Sequence, residues 1–142
     1  MLTTGQLLSR MAATGMASPY AYLVTPNVDH LVRLRKLAQQ VPGLRQAYQG
    51  ADICVCDSQV LSHLARWRGI DLPVTAGSDL TEMLFKHVIR PGDRIAILGG
   101  LDRQLAYLRE HFPGVEFVQH CPPLGLLRNS GARTTAAEWI AA

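Results

Sequence analysis

Asp57 is the side chain best placed in this sequence to meet a ligand. It ends the stretch Ala51-Asp52-Ile53-Cys54-Val55-Cys56-Asp57, four apolar residues between two aspartates, and a helix-like repeat follows at once. A short apolar run with polar ends, set between helical segments, reads as a buried parallel strand. Asp57 then falls at the carboxyl end of that strand, the edge where open α/β sheets bind ligands. The other polar candidates also follow strands: Thr25 and Asn27 after the first, Ser58 beside Asp57 after the second, Gly99 and Gly100 after the third, and His120 after the fourth. Gly77-Ser78-Asp79 opens a helix, whose first N–H groups have no intrahelical partner. Two glycines between a strand and a helix let a phosphate approach the backbone. Together these residues describe a pocket for a phosphorylated ligand with one carboxylate aimed into it. The spacing is neither G-x-G-x-x-G nor a P-loop.

Each of these residues also has a plainer reading. Asp57 reads equally as the cap of the helix behind it, and Asn27 and Ser78 stand where caps stand. Gly99-Gly100 is equally a tight turn. His63 reads as a surface or packing residue. His87 and His111 lie near helix C-termini, where partial positive charge is favourable.

The elements that must hold these groups follow from pattern. Residues 1–18 form a loosely held leader, with a short helix over Gln6–Ala13, and residues 19–142 form the domain. Tyr20–Thr25 is the first strand, stopped by Pro26. Asn27 caps a helix through Val28, Leu31, Val32 and Leu34, broken at Pro42-Gly43, and Leu44–Gln49 adds a short one. Asp52–Cys56 is the central strand, and Val60, Leu61, Leu64, Ala65 and Trp67 recur at helical spacing after it. Ile70–Thr75, with Pro73, is a loop. Ser78 is the expected cap of the next helix. Arg94–Leu98 and Val115–Gln119 are the last strands, separated by a helix through Leu101, Leu105 and Leu108, and Thr134 caps a final helix. Strands alternating with helices give an α/β fold: a Rossmann-like open parallel sheet with helices on both faces, joined by right-handed crossovers. No strand follows the last helix to use its apolar side, so the sheet is expected to be incomplete at its C-terminal end.

Composition agrees. With 142 residues, 48% hydrophobic and 18% charged, the chain has the balance of a single globular domain and is too apolar for disorder. Its longest apolar runs are about half of the roughly 20 residues a membrane span needs. No basic leader precedes an apolar core, so a cytoplasmic setting is expected. Cys54, Cys56 and Cys121 are an odd count, which points to reduced thiols. Cys54 and Cys56 share one strand face and read as small buried core residues. No metal ligand set is read from them. The net charge of +3 is weak and scattered. Arg33, Arg35 and Lys36 make one small cluster, read as a solvated helix face, with a phosphate or anionic-lipid contact as the other reading. Nucleic acid is not an expected partner.

The motifs resemble those of a known family. Thr25-Pro26-Asn27-Val28-Asp29-His30-Leu31 is similar to the opening T-x-N segment of the WecG/TagA/CpsF glycosyltransferases (glycosyltransferase family 26). Ala51–Asp57 resembles their "AD…D" strand, Ala76-Gly77-Ser78-Asp79-Leu80 their G-[ST]-D-L helix start, and Leu98-Gly99-Gly100 their third-strand glycines. Pro122-Pro123-Leu124-Gly125 resembles the P-P-x-G-F loop of the exopolysaccharide branch. The order and spacing agree over residues 20–142. Ser58 stands where many members have Gly, and Val74 where many have Arg.

The resemblance implies transfer of an N-acetylhexosamine, commonly N-acetylmannosamine, from a UDP-sugar donor to a polyprenyl-diphosphate-linked acceptor. It implies inversion at the anomeric carbon, with no cofactor and no tightly bound metal. Asp57 aligns with the family's proposed catalytic base, and Thr25 and Asn27 with active-site polar residues. The family continues with a further strand, a G-x-G-x-P-x-Q-E segment and an appendage associated with membrane contact at the inner face. By that measure the chain corresponds to the N-terminal two-thirds of a glycosyltransferase domain, and whether it acts alone or as a homo-oligomer is left open. A non-catalytic nucleotide-sugar binding or assembly module is the alternative, with a flavodoxin-like cofactor domain behind it.

Overall fold

The structure is a computed structural model that describes residues 4–14 and 18–142. The chain divides into two compact units, Met1–Val88 and Ile89–Ala142.

In the first unit the described elements are α1 (Thr4–Ala12), β1 (Leu23–Val24), α2 (Val28–Leu37), α3 (Leu44–Gln49), β2 (Ile53–Cys54), α4 (Gln59–Trp67) and α5 (Gly77–His87). β1 and β2 pair in parallel, Leu23 opposite Ile53 and Val24 opposite Cys54. The backbone ladder runs past these short strands at both ends. Asp52 N donates to Tyr22 O at 3.0 Å, Val55 N to Val24 O at 3.0 Å, and Asp57 N to Pro26 O at 3.0 Å. Asp52 adds its side chain, accepting from Tyr22 N at 3.0 Å, and Tyr22 Oη donates to Ala47 O at 2.7 Å. The lead-in to β1 is thereby tied to both β2 and α3.

A third extended segment joins this sheet where a loop was expected. Cys56 forms a parallel bridge with Val74, and Thr75 N donates to Cys56 O at 2.9 Å. Pro73 hides it in the sequence: proline offers no N–H to a ladder, so only the residues beyond it can pair. Ser62, buried on α4, holds the approach to this segment by donating to Leu72 O at 2.7 Å.

Local chemistry sets the helix starts. Asn27 Oδ1 accepts from His30 N at 3.0 Å, and Ser58 Oγ accepts from Leu61 N at 3.2 Å, so each satisfies one orphan donor. Ser78 does not cap α5. The helix starts two residues earlier than such a cap would place it, behind Ala76, with no side-chain cap, and Ser78 lies in its first turn. The buried apolar side chains of this unit include Leu7, Val41, Cys56 and Leu80. Leu7, on α1 within the N-terminal leader, is the most deeply buried, at 1% exposure. Cys54 is exposed, unlike Cys56, and so departs from the expected buried pair.

The second unit contains β3 (Arg94–Leu98), α6 (Asp102–His111), β4 (Glu116–His120), a single 3₁₀ turn at Leu126–Arg128 and α7 (Ser130–Ala141). β3 and β4 pair in parallel over five residues, from Arg94 opposite Glu116 to Leu98 opposite His120. Two parallel strands joined through α6 make a complete βαβ unit. Arg109 reaches from α6 to donate to Phe117 O at 3.0 Å, and Phe117 and Ala136 are buried. α7 begins well before Thr134. Asn129 Oδ1 accepts from Ala132 N at 3.0 Å as its cap, while Thr134 Oγ1 donates back to Ser130 O from inside the helix. Gly131 in the first turn disguises that start, because glycine is a poor helix former.

The fold is therefore α/β with parallel strands, as the alternating pattern requires. Among the described residues it takes the form of two-stranded sheets, one in each unit, the first extended by the bridge at Val74.

Leu7→Ala removes the most buried side chain and leaves a cavity under α1. It should cost about 2 to 5 kcal/mol of stability, read as a lower urea midpoint with an unchanged slope.

Candidate active site

The carboxyl ends of β1 and β2 bring Thr25 and Asp57 side by side, because the Asp57 N to Pro26 O hydrogen bond keeps the two chains in register past the strands. The bridge from Cys56 to Val74 then brings the start of α5 to the same edge. The meeting point is Gly77. A β carbon placed there would stand 3.3 Å from Thr25 Oγ1 and 3.5 Å from Asp57 Oδ2. The absence of a side chain at Gly77 leaves room for a hydroxyl and a carboxylate oxygen to face the first turn of a helix.

The carboxylate is uncommitted. Asp57 is half-buried, yet among the described residues its side chain has neither a hydrogen bond nor an ion pair. Capping of α4 falls to Ser58, which settles the alternative reading of Asp57 as a cap. A half-buried acid that serves no local structure is free to accept a proton or a hydrogen bond from a ligand. The helix beside it is also open, since no side chain caps the first N–H groups of α5.

The remaining candidates divide. Asn27 and Ser58 adjoin Thr25 and Asp57 in sequence, but their side-chain oxygens are occupied as caps. Ser78 and Asp79 are exposed on α5, with Ser78 Oγ donating to Asp79 Oδ1 at 3.2 Å. Gly99 and Gly100 belong to the second unit. Both adopt left-handed backbone, φ 89° and φ 85°, which restricts the turn to glycine. The turn is held by Gln119, whose Nε2 donates to Gly99 O at 2.7 Å, and by Gly99 N donating to His120 O at 2.8 Å. A β carbon on Gly100 would meet Gln119 Nε2 at 3.2 Å. His120 stacks on Trp139, centroids 5.3 Å apart.

Three contributors escape a reading of the sequence alone. Pro26 acts through its carbonyl and Val74 through its backbone, and neither leaves a side-chain signal. Gln119 is legible only as the alternate residue of β4 that comes to lie beside the glycines. Among the described residues no group of three or more His, Cys, Asp or Glu is gathered to hold a metal ion. Cys54, two residues before the bridge, has its thiol pushed up from the ordinary range, first by partial burial and then by neighbouring Cys56.

Asn27→Ala and Ser58→Ala should each lower stability by about 1 kcal/mol as lost caps, whereas Ser78→Ala should leave the melting temperature nearly unchanged. Because a raised thiol pKa means less thiolate at a given pH, Cys54 should alkylate at pH 8 more slowly in the folded chain than in urea. Peptide mapping after iodoacetamide reads the difference.

A sequence model of the "Glycosyl transferase WecG/TagA/CpsF family" matches residues 1–142. No curated protein and no solved structure matches the chain.

Proposed function

Because the chain belongs to the WecG/TagA/CpsF glycosyltransferase family, we propose that it moves an N-acetylhexosamine, of the N-acetylmannosamine kind, from a UDP-sugar to a polyprenyl-diphosphate-linked sugar in cell-surface or exopolysaccharide assembly. The observation that carries this reading is the free, half-buried carboxylate of Asp57 beside Thr25 Oγ1 at the uncapped start of α5.

In this mechanism Asp57 accepts the proton of the acceptor hydroxyl as that oxygen attacks the anomeric carbon from the face opposite the leaving group. The bond to the UDP oxygen breaks, and configuration inverts. Thr25 orients the sugar. The open N–H groups of α5, at Gly77, Ser78 and Asp79, stabilise the departing diphosphate charge without reorganising. Gly99 and Gly100 offer a second place where backbone can approach phosphate. The reaction belongs on the inner face of the membrane, where the lipid-linked acceptor is held. Among the described residues no helix is long and apolar enough to cross a membrane.

Asp57→Asn keeps the shape of the site and removes the base. Transfer from a UDP-N-acetylhexosamine to a short prenyl-diphosphate sugar should fall by about 10² to 10⁴, while UDP affinity by calorimetry stays within a few-fold. Near-normal turnover in the Asn variant would show that Asp57 is not the base. UDP binding without transfer by the unsubstituted protein would favour a nucleotide-sugar binding module instead. Gly77→Ala should weaken UDP binding without unfolding the chain, because its methyl group would fill the space between Thr25 and Asp57.

A further inference from the structure

On the first unit, α2 and α4 flank an open apolar groove of about 690 Å³. Cys54 and Cys56 both line it, beside Leu61, Leu64 and Trp67 of α4. The groove is open to water, with Trp67 83% exposed and Leu64 47%. The two cysteines are alternate residues of one extended segment and so present their thiols on one face. Backbone pairing fixes that segment on both sides. Cys54 stands opposite Val24, Val55 N donates to Val24 O at 3.0 Å, and Cys56 bridges to Val74. Both thiols are free, Cys54 exposed and Cys56 buried. The pair therefore has one sulfur that a solute can reach and one enclosed behind it.

The spacing decides what the pair suits. Residues two apart on a strand stand about 6.6 Å from each other, whereas a disulfide draws its β carbons to about 3.8 Å. Two thiolates on one linear ion, with metal–sulfur bonds of about 2.3 Å, hold their sulfurs about 4.6 Å apart. Each sulfur then leans inward by only about 1 Å from its strand position. Zinc wants three or four protein donors, and among the described residues no group of three or more His, Cys, Asp or Glu is gathered. Two soft donors without a third suit a soft monovalent ion, Cu(I). Charge agrees. Cys56 is the second cause, after partial burial, of the raised Cys54 thiol, so the two sulfurs lie within electrostatic reach. A cation shared between them replaces that repulsion with attraction. A Cu(I) dithiolate carries one negative charge, and Arg68, which lines the same groove, has no ion pair among the described residues. Apolar walls strengthen the attraction between that anion and the guanidinium.

We propose that Cys54 and Cys56 form a two-coordinate Cu(I) site in the α2–α4 groove. Binding forms two copper–sulfur bonds and releases both thiol protons to water, including the one Cys56 Sγ donates to Ser58 O at 3.3 Å. The ion enters with one positive charge, the site leaves with one negative charge, and no electron is transferred. The inference does not depend on the assignment of Asp57.

Titration of the reduced, intact chain with Cu(I) in competition with bicinchoninate tests it. Each chain should withhold one ion from the dye, and an equal concentration of Zn(II) should not displace it. Cys54→Ser should weaken the site by about 10² or more, because the second thiolate then loses its tethered partner. That substitution is at an exposed position, so circular dichroism should show the fold intact. Cys121→Ser should bind as the parent does. Cu(I) should raise the melting temperature of the parent and leave that of Cys54→Ser unchanged. Parent-like affinity in Cys54→Ser, loss of binding in Cys121→Ser, or copper held between two chains in ultracentrifugation would overturn the proposal. So would equal affinity in urea, since the folded strand would then contribute nothing to the site.

Discussion

The hydrogen bond from Asp57 N to Pro26 O is the constraint on which the rest of the first unit depends. It extends the parallel register beyond the two short strands, to the point where both chains turn into their helices. Side chains alternate along a strand, so a slip of one residue would send Asp57 to the other face of the sheet. Pro26 suits its place: it accepts through its carbonyl, and its missing N–H is not required there. A residue whose side chain does nothing visible thus sets where the acid stands.

Much of this was legible in the sequence. The apolar run at 53–56 and the aspartate after it gave the strand and its end. Asn27 and Ser58, each three residues before the backbone N–H it receives, stood where caps stand. The five-residue pairing of β3 with β4 followed from two β-rich segments on either side of a helical repeat. What could not be read were contacts made by backbone alone. The Cys56–Val74 bridge lies behind a proline that argues for a loop. The start of α5 behind Ala76 has no side-chain signature, and Ser78, a good cap by type, drew the boundary two residues late. Asn129 likewise lost to Thr134, because Gly131 interrupts the helical pattern between them.

Ser58 and Asp57 divide two tasks that one residue often performs. An aspartate next to a helix start is commonly held by that helix, its oxygens spent on backbone N–H groups. Here the serine takes that duty, and the carboxylate remains outside the ladder and outside the cap. The same economy appears at Gly77, where the first helical residue gives up its side chain and leaves space for Thr25 and Asp57.

The exposed groove has a thermodynamic consequence. The heat capacity of unfolding tracks the apolar surface newly presented to water, and surface already wetted in the native state adds nothing to it. With Trp67, Leu64 and their neighbours solvated beforehand, the chain's stability curve is flatter than its length alone would give. Heating and cooling then shift its free energy gently, and the hydrophobic driving force of that exposed surface is not spent on folding.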